Sequence, residues 1–409
     1  MSEKTRILIV CQHFWPETFR INDIAAFFVE KDIEVDVLCG IPNYPKGRYY
    51  KGYSLLKNRR QTHNKINIRR TLEIPRGNNS NIRIFINYVS FPIASIFHIP
   101  SLLTKKYDKI LIYQLSPVMM SIAGILLGKI KKIETTMCIL DLWPENLYSV
   151  LQLENRQARW TIKKISHWHY RNVDKLVVLS DAMKQRVENI AGVSNKKIIV
   201  LPQACEKIYE QDLVDKNLQK RFSQGFNILF TGNISPAQSF ETIIDAANII
   251  KNAGYSDINW IIVGDGMSKA AIEKQVAKAN LNEIFYFEGQ KPVEDIPKYT
   301  HIADLLIGCL VKSELLEATI PAKVMSYIAA GKPIALAMDG EVQNLINNKI
   351  KCGIATNTDD PAALASSITT IYRLNRAARK QMGDRARAYH MKNFERYIIL
   401  SKLHHFIFD

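Results

Sequence analysis

The sequence predicts an α/β protein made of two Rossmann-like units, and three observations carry that prediction. At the start, Arg6–Val10 reads as a strand and is followed by a helical pattern over Ile21–Lys31 and a second strand, Val35–Leu38. Strand, helix and strand at that spacing indicate a parallel sheet. The same order begins again at Phe226–Phe230, after a polar stretch of alternating charge from Lys207 to Gln224 that reads as a connection. The third observation is length: 409 residues exceed one ordinary domain and suit two of about 200 each.

Taken in order, the first strand leads into a loop that carries Phe14, Trp15, Pro16, Glu17 and Arg20. No GxGxxG follows the strand, so a dinucleotide fingerprint is absent. The loop falls at the carboxyl edge of the sheet, where open α/β folds bind ligands. Aromatics there either stack on a sugar ring or pack, and packing is expected for Phe14. Glu17 and Arg20 are harder to explain by packing. Asn22 and Asp23 open the first helix. Lys109–Tyr113, Ile133–Cys138 and Leu176–Leu179 read as further strands, with helices over Val118–Lys129 and Asn155–Arg171. Asp141 and Glu145 therefore fall in a loop just after a strand, with Pro144 as a rigid turn between them. Two carboxylates so placed suit acid/base work or contacts to sugar hydroxyls; a structural turn explains them equally well.

In the second half, Gly232 permits a tight turn and Pro236 opens a helix. Ile258–Val263 runs into Gly264, Asp265 and Gly266, and Ile284–Phe287 runs into Gly289, Gln290 and Lys291. A helix over Val293–His301 and a strand over Asp304–Ile307 precede the stretch from Ala318 to Pro333. Pro321 suits a first helical turn, Val324, Ile328 and Ala329 repeat at helical spacing, and Gly331 with Pro333 stops the helix. Lys323 sits in the first turn, where the dipole disfavours a cation; an anion held there explains it. A basic helix over Asn375–Ala388 precedes a last segment, Asn393–Phe408.

Composition narrows the partners. Six scattered cysteines without a CxxC argue for reduced, buried thiols in the cytoplasm, and Ile7–Val10 is too short for a signal peptide. The net charge of +16 is uneven: residues 1–200 hold 31 Lys/Arg against 16 Asp/Glu, while residues 201–409 hold 24 against 23. From Lys46 to Arg83 there are 11 basic residues and a single acid, Glu73. Such a half points to an anionic partner. Ile84–Leu103 is mostly apolar, but Asn87, Pro92, His98 and Pro100 speak against a membrane span. Bracketed by Arg83, Lys105 and Lys106, it suits a helix lying in the membrane interface, with a core helix as the alternative.

The motifs together resemble family 4 glycosyltransferases, which have the GT-B architecture of two facing Rossmann-like domains. Residues Thr231–Gln238, Val263–Gly266 and Ala318–Pro333 carry the likeness to the nucleotide-sugar half. Gln12–Asp23, Gly40–Gly47, with Asn43 and Tyr44, and Asp141–Glu145 resemble bacterial transferases of the WbuB type, which add N-acetyl-L-fucosamine during O-antigen or capsule assembly. The resemblance implies an acceptor domain over 1–203, completed by a crossing C-terminal helix over 393–409, and a donor domain over 225–390.

It further implies a UDP-sugar donor, an undecaprenyl-diphosphate-linked acceptor and a peripheral place on the inner face of the bacterial membrane. It implies donor contacts from Gly232, Asn233, Gln238, Gly264–Gly266, Gln290, Lys291, Pro321, Lys323, Ser326 and Tyr327. Acceptor contacts are expected from Trp15, Pro16, Glu17, Arg20, Asn43 and Tyr44, and catalysis from Lys323, Glu17, Asp141 or Glu145. No cofactor and no metal are expected, and no Asp-x-Asp motif is present.

The departure from the family pattern is in the Glu-x7-Glu pair that many retaining members carry. Ala318 and Ser326 stand in those places, and Asn233 and Gln238 are neutral where many members have Arg and Lys. Lys323 is then the available charge for a leaving diphosphate. Two other functions compete: a nucleotide-sugar 2-epimerase of the same fold, which needs no lipid-facing basic half, and a basic nucleic-acid-binding protein. For the latter, charge belongs on a recognition element, whereas here it flanks an apolar segment.

Overall fold

The computed structural model describes residues 4–45, 47–77, 81–144, 147, 155–191, 193, 198–205 and 207–409. The chain divides into two units, Met1–Leu201 with Leu400–Asp409, and Pro202–Ile399.

The first unit is built on one sheet of eight strands. These are β1 (Arg6–Cys11), β2 (Glu34–Cys39), β3 (Arg60–His63), β4 (Ile66–Arg70), β5 (Lys109–Gln114), β6 (Thr135–Ile139), β7 (Lys175–Val178) and β8 (Ile198–Val200), in the order β3-β4-β2-β1-β5-β6-β7-β8. All pairs are parallel except β3 with β4. Strands β1, β2, β5 and β6 are buried along nearly their whole length, which is why they read as continuous apolar runs. Helix Ile21–Glu30 buries Ile21, Ile24, Ala25, Phe27 and Phe28, one face at helical spacing. Phe28 meets Phe408 edge-on at 5.9 Å, and Lys175 donates to the carbonyl of Phe406, so the end of helix Arg396–Phe408 belongs to this unit.

The apolar segment expected as one helix over Ile84–Leu103 is two, Asn81–Ile96 and Ile99–Leu103, with Pro92 inside the first. The segment has a buried face and an exposed one. Tyr88, Phe91, Ile99 and Leu102 are buried, whereas Ile82, Phe85, Ile93 and Phe97 are exposed by 73%, 65%, 53% and 79%. Among the described residues no helix is long and apolar enough to cross a membrane.

The second unit has six parallel strands: β9 (Phe226–Thr231), β10 (Ile258–Val263), β11 (Phe285–Gly289), β12 (Leu305–Cys309), β13 (Ile334–Ala337) and β14 (Gly353–Thr356), in the order β11-β10-β9-β12-β13-β14. Numbered within the unit this is 3-2-1-4-5-6, the order that places a ligand crevice at the carboxyl ends between the first and fourth strands. Alternate residues serve the two faces: Ile228, Phe230, Trp260 and Ile262 in one core, Leu229, Ile261 and Val263 in the other. The stretch Lys207–Gln224, expected as a connection, lies within this unit. It holds the short helix Lys216–Arg221, capped by Asp215, and Glu210 Oε1 lies 2.9 Å from His390 Nε2.

Candidate active site

In the second unit the loops that leave β9, β10 and β11 are stitched to one another by main-chain bonds. Gly232 donates to Val263 O at 2.9 Å, Ile234 to Asp265 O at 2.9 Å, and Gly264 to Gly289 O at 2.9 Å. So close an approach requires glycine. A Cβ on Gly264, where φ is +155°, would stand 1.9 Å from Gly232 O; one on Gly266 would stand 2.2 Å from Ile234 O. The result is a cleft of about 540 Å³ lined by Gly232, Asn233, Gly264, Asp265, Gly266, Gln290 and Lys291, with Val263 and Ile296. Seven of the residues expected at the donor site are thus brought together.

Lys323 enters from the opposite side of the switch point. Helix Ala322–Ala330 starts after Pro321, which is its cap residue, and Gly331 in the left-handed region ends it. The Lys323 stem passes Gly232 and Gly308: a Cβ on Gly232 would meet its Cε at 3.2 Å, and one on Gly308 its Cδ at 3.6 Å. Its amine lies 3.6 Å from the centroid of the Phe230 ring and donates to Gln238 Oε1. Among the described residues no carboxylate is within ion-pair reach of it. Burial without a counter-charge lowers its pKa to about 7. A half-buried amine at a helix start, where the first N–H groups have no intrahelical acceptor, is a place for an anion.

The remaining donor-side residues have other partners. Ser326 bonds back to Ala322 O, within its own helix. Tyr327 is buried; its hydroxyl accepts from Thr231 N and donates to Ile307 O, both at 3.0 Å, and so ties β9 to β12. That is a structural task inside the core, so Tyr327 takes no place on the open cleft. Ala318, where a carboxylate stands in many relatives by resemblance, is buried.

In the first unit the predicted residues again gather at the carboxyl edge, but several work as braces. Glu17 is buried. Its Oε1 accepts from the backbone N–H of Asn43 and of Tyr44, each at 2.7 Å, and its Oε2 lies 3.1 Å from His13 Nδ1. A carboxylate so engaged holds the loop after β2 against the loop after β1. Asn43 is buried and bonds Ile41 O, whereas Tyr44 is exposed and packs on His13 and Phe19. Trp15 stacks on His63 at 3.9 Å, and its carbonyl accepts from Arg70. Pro16 follows in the same loop, and Phe14 is packed in the core. Asp141 is half-buried beyond β6, with its carbonyl bonded by Gln114; Glu145 lies outside the described residues.

The residue that sequence reasoning passed over is Glu73, just beyond β4. It is fully buried, and its Oε1 accepts from Gln12 at 2.8 Å and from Asn87 at 3.0 Å. Gly40 leaves room for it, since a Cβ there would lie 1.9 Å from Glu73 Oε2. Burial raises the pKa of Glu73. Burial opposes charge on His13 as well, but Glu73 and Glu17 outweigh it and raise the His13 pKa. The only signal in the sequence was that Glu73 is the lone acid in the basic stretch.

Residues 215–389 match the family described as glycosyl transferases group 1. The chain is 24% identical to the 2-deoxystreptamine glucosyltransferase of Streptomyces kanamyceticus over 60% of its own length and 65% of that protein's. It is 24% identical to the putative colanic acid biosynthesis glycosyl transferase WcaI of Escherichia coli K12, over 80% of this chain and 81% of WcaI. Among solved structures, Alr3699/HepE of Anabaena, in complex with UDP and glucose, superposes with a TM-score of 0.68 at 16% identity, over 98% of this chain and 99% of that one. Residues 215–389 thus form a group 1 glycosyl transferase domain, within a chain of the GT-B fold.

Proposed function

We propose that the chain transfers an N-acetylated deoxyhexosamine, such as N-acetyl-L-fucosamine, from its UDP conjugate to a saccharide carried on undecaprenyl diphosphate, in O-antigen or capsule assembly at the inner face of the bacterial membrane. The observation that carries the proposal is Lys323: a half-buried amine with no carboxylate in reach among the described residues, at a helix start beside Gly232 of the glycine-lined cleft. That arrangement stabilises negative charge as it develops on a departing diphosphate, the point at which sugar transfer needs help. Support for the donor class comes from the fold neighbour solved with UDP and glucose, and for polysaccharide assembly from WcaI, named for colanic acid biosynthesis. The sugar itself is favoured by the WbuB-like opening segment. The exposed apolar row on helix Asn81–Ile96, beside the basic stretch, supports work at a membrane surface.

The test is binding followed by turnover. UDP should raise the melting temperature more than GDP or ADP does, because selective binding to the folded state stabilises it. UDP-N-acetyl-L-fucosamine should then be consumed in the presence of a polyprenyl-diphosphate saccharide. A preference for GDP overturns the donor assignment, and consumption without acceptor, with a rearranged sugar as product, identifies an epimerase instead.

A further inference from the structure

A groove of about 430 Å³ lies in the first unit between the β3–β4 hairpin and helix Ile99–Leu103, and nothing in the transfer reaction uses it. Its floor is Asp36, buried at the sheet. This carboxylate is already engaged, by Lys105 Nζ at 2.6 Å, Tyr107 OH at 2.8 Å and Asn67 Nδ2 at 3.0 Å. Burial opposes its charge, but those three donors outweigh it and hold the carboxyl below its usual range.

The rim is the unusual part. Arg60 and Arg69 are direct register partners across the antiparallel pair. Like charges facing each other there destabilise a hairpin, so the pairing calls for something that offsets them. Arg69 donates to Ser101 Oγ, a neutral partner, and among the described residues no carboxylate pairs with either arginine. His98 lies under the same field. Burial, and then Arg69, Arg59 and Arg60, lower its pKa to about 4, so it adds no charge of its own. Leu102, which lines the groove, is followed by Leu103, exposed by 37%, and His98 is preceded by Phe97, exposed by 79%. A cationic cup next to bare apolar side chains matches a molecule with a phosphate at one end and hydrocarbon at the other.

We propose that this groove binds the phosphate of an anionic phospholipid headgroup, with Arg60 and Arg69 as its ligands and Phe97 and Leu103 against the acyl chains. The proposal rests on the membrane reading above and gives it a site with a register. Guanidinium groups suit the role because each offers two parallel N–H bonds to phosphate oxygens.

The experiment is a flotation titration of the full chain with vesicles of phosphatidylcholine, with and without phosphatidylglycerol. The Arg60→Gln/Arg69→Gln pair is set against Lys57→Gln/Lys65→Gln, which removes the same charge from the same stretch outside the groove. The groove pair should weaken binding to phosphatidylglycerol vesicles roughly tenfold more than the control pair, since site contacts add to the general attraction that both pairs lose equally. Arg60→Gln alone, at an exposed position, should show part of that loss even if the double variant is poorly folded. Equal losses in the two pairs overturn the groove while leaving the membrane reading intact. Failure of the unaltered protein to bind either vesicle sinks the membrane reading itself. Inorganic phosphate is the remaining arm: if it raises the melting temperature through Arg60 while vesicle binding is unmoved by the variants, the ligand is a soluble phosphate and the lipid assignment is wrong.

Discussion

Among the described residues Lys323 has no acidic partner, and two measurable consequences follow at the scale of that residue. The first concerns rate. Lys323→Ala should lower kcat by about a hundredfold, the usual effect of deleting one group that stabilises transition-state charge, worth roughly 3 kcal/mol. The melting temperature should hardly fall, because the lost contacts are one neutral hydrogen bond and one ring. Normal turnover, or a collapsed melt, counts against the role. The second concerns protons. An unfolded lysine titrates near 10.5, whereas burial brings folded Lys323 to about 7. Between those values the unfolded chain binds more protons, so this residue makes stability rise with pH from about 7 to 10.5, and its penalty is fully present below 7. Stability of the protein relative to Lys323→Met should therefore climb across that window. Bound diphosphate supplies the missing counter-charge and raises the pKa again, so UDP binding at pH 8 should take up a proton. Calorimetry in buffers of different ionisation enthalpy reads that uptake directly, and a buffer-independent heat for the unaltered protein would rule it out.

At the scale of elements, the donor-side cleft depends on loops packed backbone to backbone. Gly264→Ala sets a Cβ against a carbonyl oxygen as well as straining φ, whereas Gly254→Ala, at φ +89° with open space around it, brings strain alone. Strain of this kind costs roughly 1–3 kcal/mol. Gly264→Ala should therefore destabilise the second unit by more than Gly254→Ala in urea unfolding, and should weaken UDP binding as Gly254→Ala does not. These loops were legible because apolar strands end at glycines, a pattern that survives in one dimension. Other elements left no such trace. In the hairpin Arg60–Arg70, β3 is wholly polar and β4 alternates only through Ile66 and Ile68 before Arg70 takes the next buried place, and β13 is a four-residue run with two alanines behind Pro333. The helix Asp181–Ala191 likewise went unread. At the site, residue types and loop positions were readable, but side-chain direction was not. Tyr327 follows Lys323 by one turn yet points into the core, and Glu17 turns inward to cap a neighbouring loop. Glu73 escaped because its partners Gln12, Gly40 and Asn87 are distant in sequence.

At the scale of the whole molecule, the excess charge belongs to the first 200 residues, and the same unit leaves apolar side chains in the open. Helix Asn81–Ile96 presents Ile82, Phe85 and Ile93, with Phe97 just past its end, and helix Arg156–Arg171 presents Trp160 and Trp168 among basic residues. Both helices pack on the turn Val118–Ser121, so they belong to one layer. Charge and apolar surface respond differently to salt, which allows their parts to be separated. Screening removes attraction beyond a Debye length of about 10 Å at 0.1 M and about 3 Å at 1 M, but leaves hydrophobic insertion. Flotation with anionic vesicles should accordingly be strong at low salt and weaker, yet persistent, at high salt. Phe91 is the wrong residue for testing the persistent part, since it is buried and its loss would damage the core. Phe85, Ile93 and Phe97 are the right ones, because each stands in solvent. Replacing all three with Ser should leave circular dichroism and the melt nearly unchanged, while lowering high-salt binding by at least roughly tenfold, given about 1.5–3 kcal/mol for each such side chain fully removed from water. Low-salt binding should fall less, because the basic residues remain. A folded triple variant that still floats at high salt would show that this helix does not hold the lipid, and would move the search for the apolar anchor to Trp160 and Trp168.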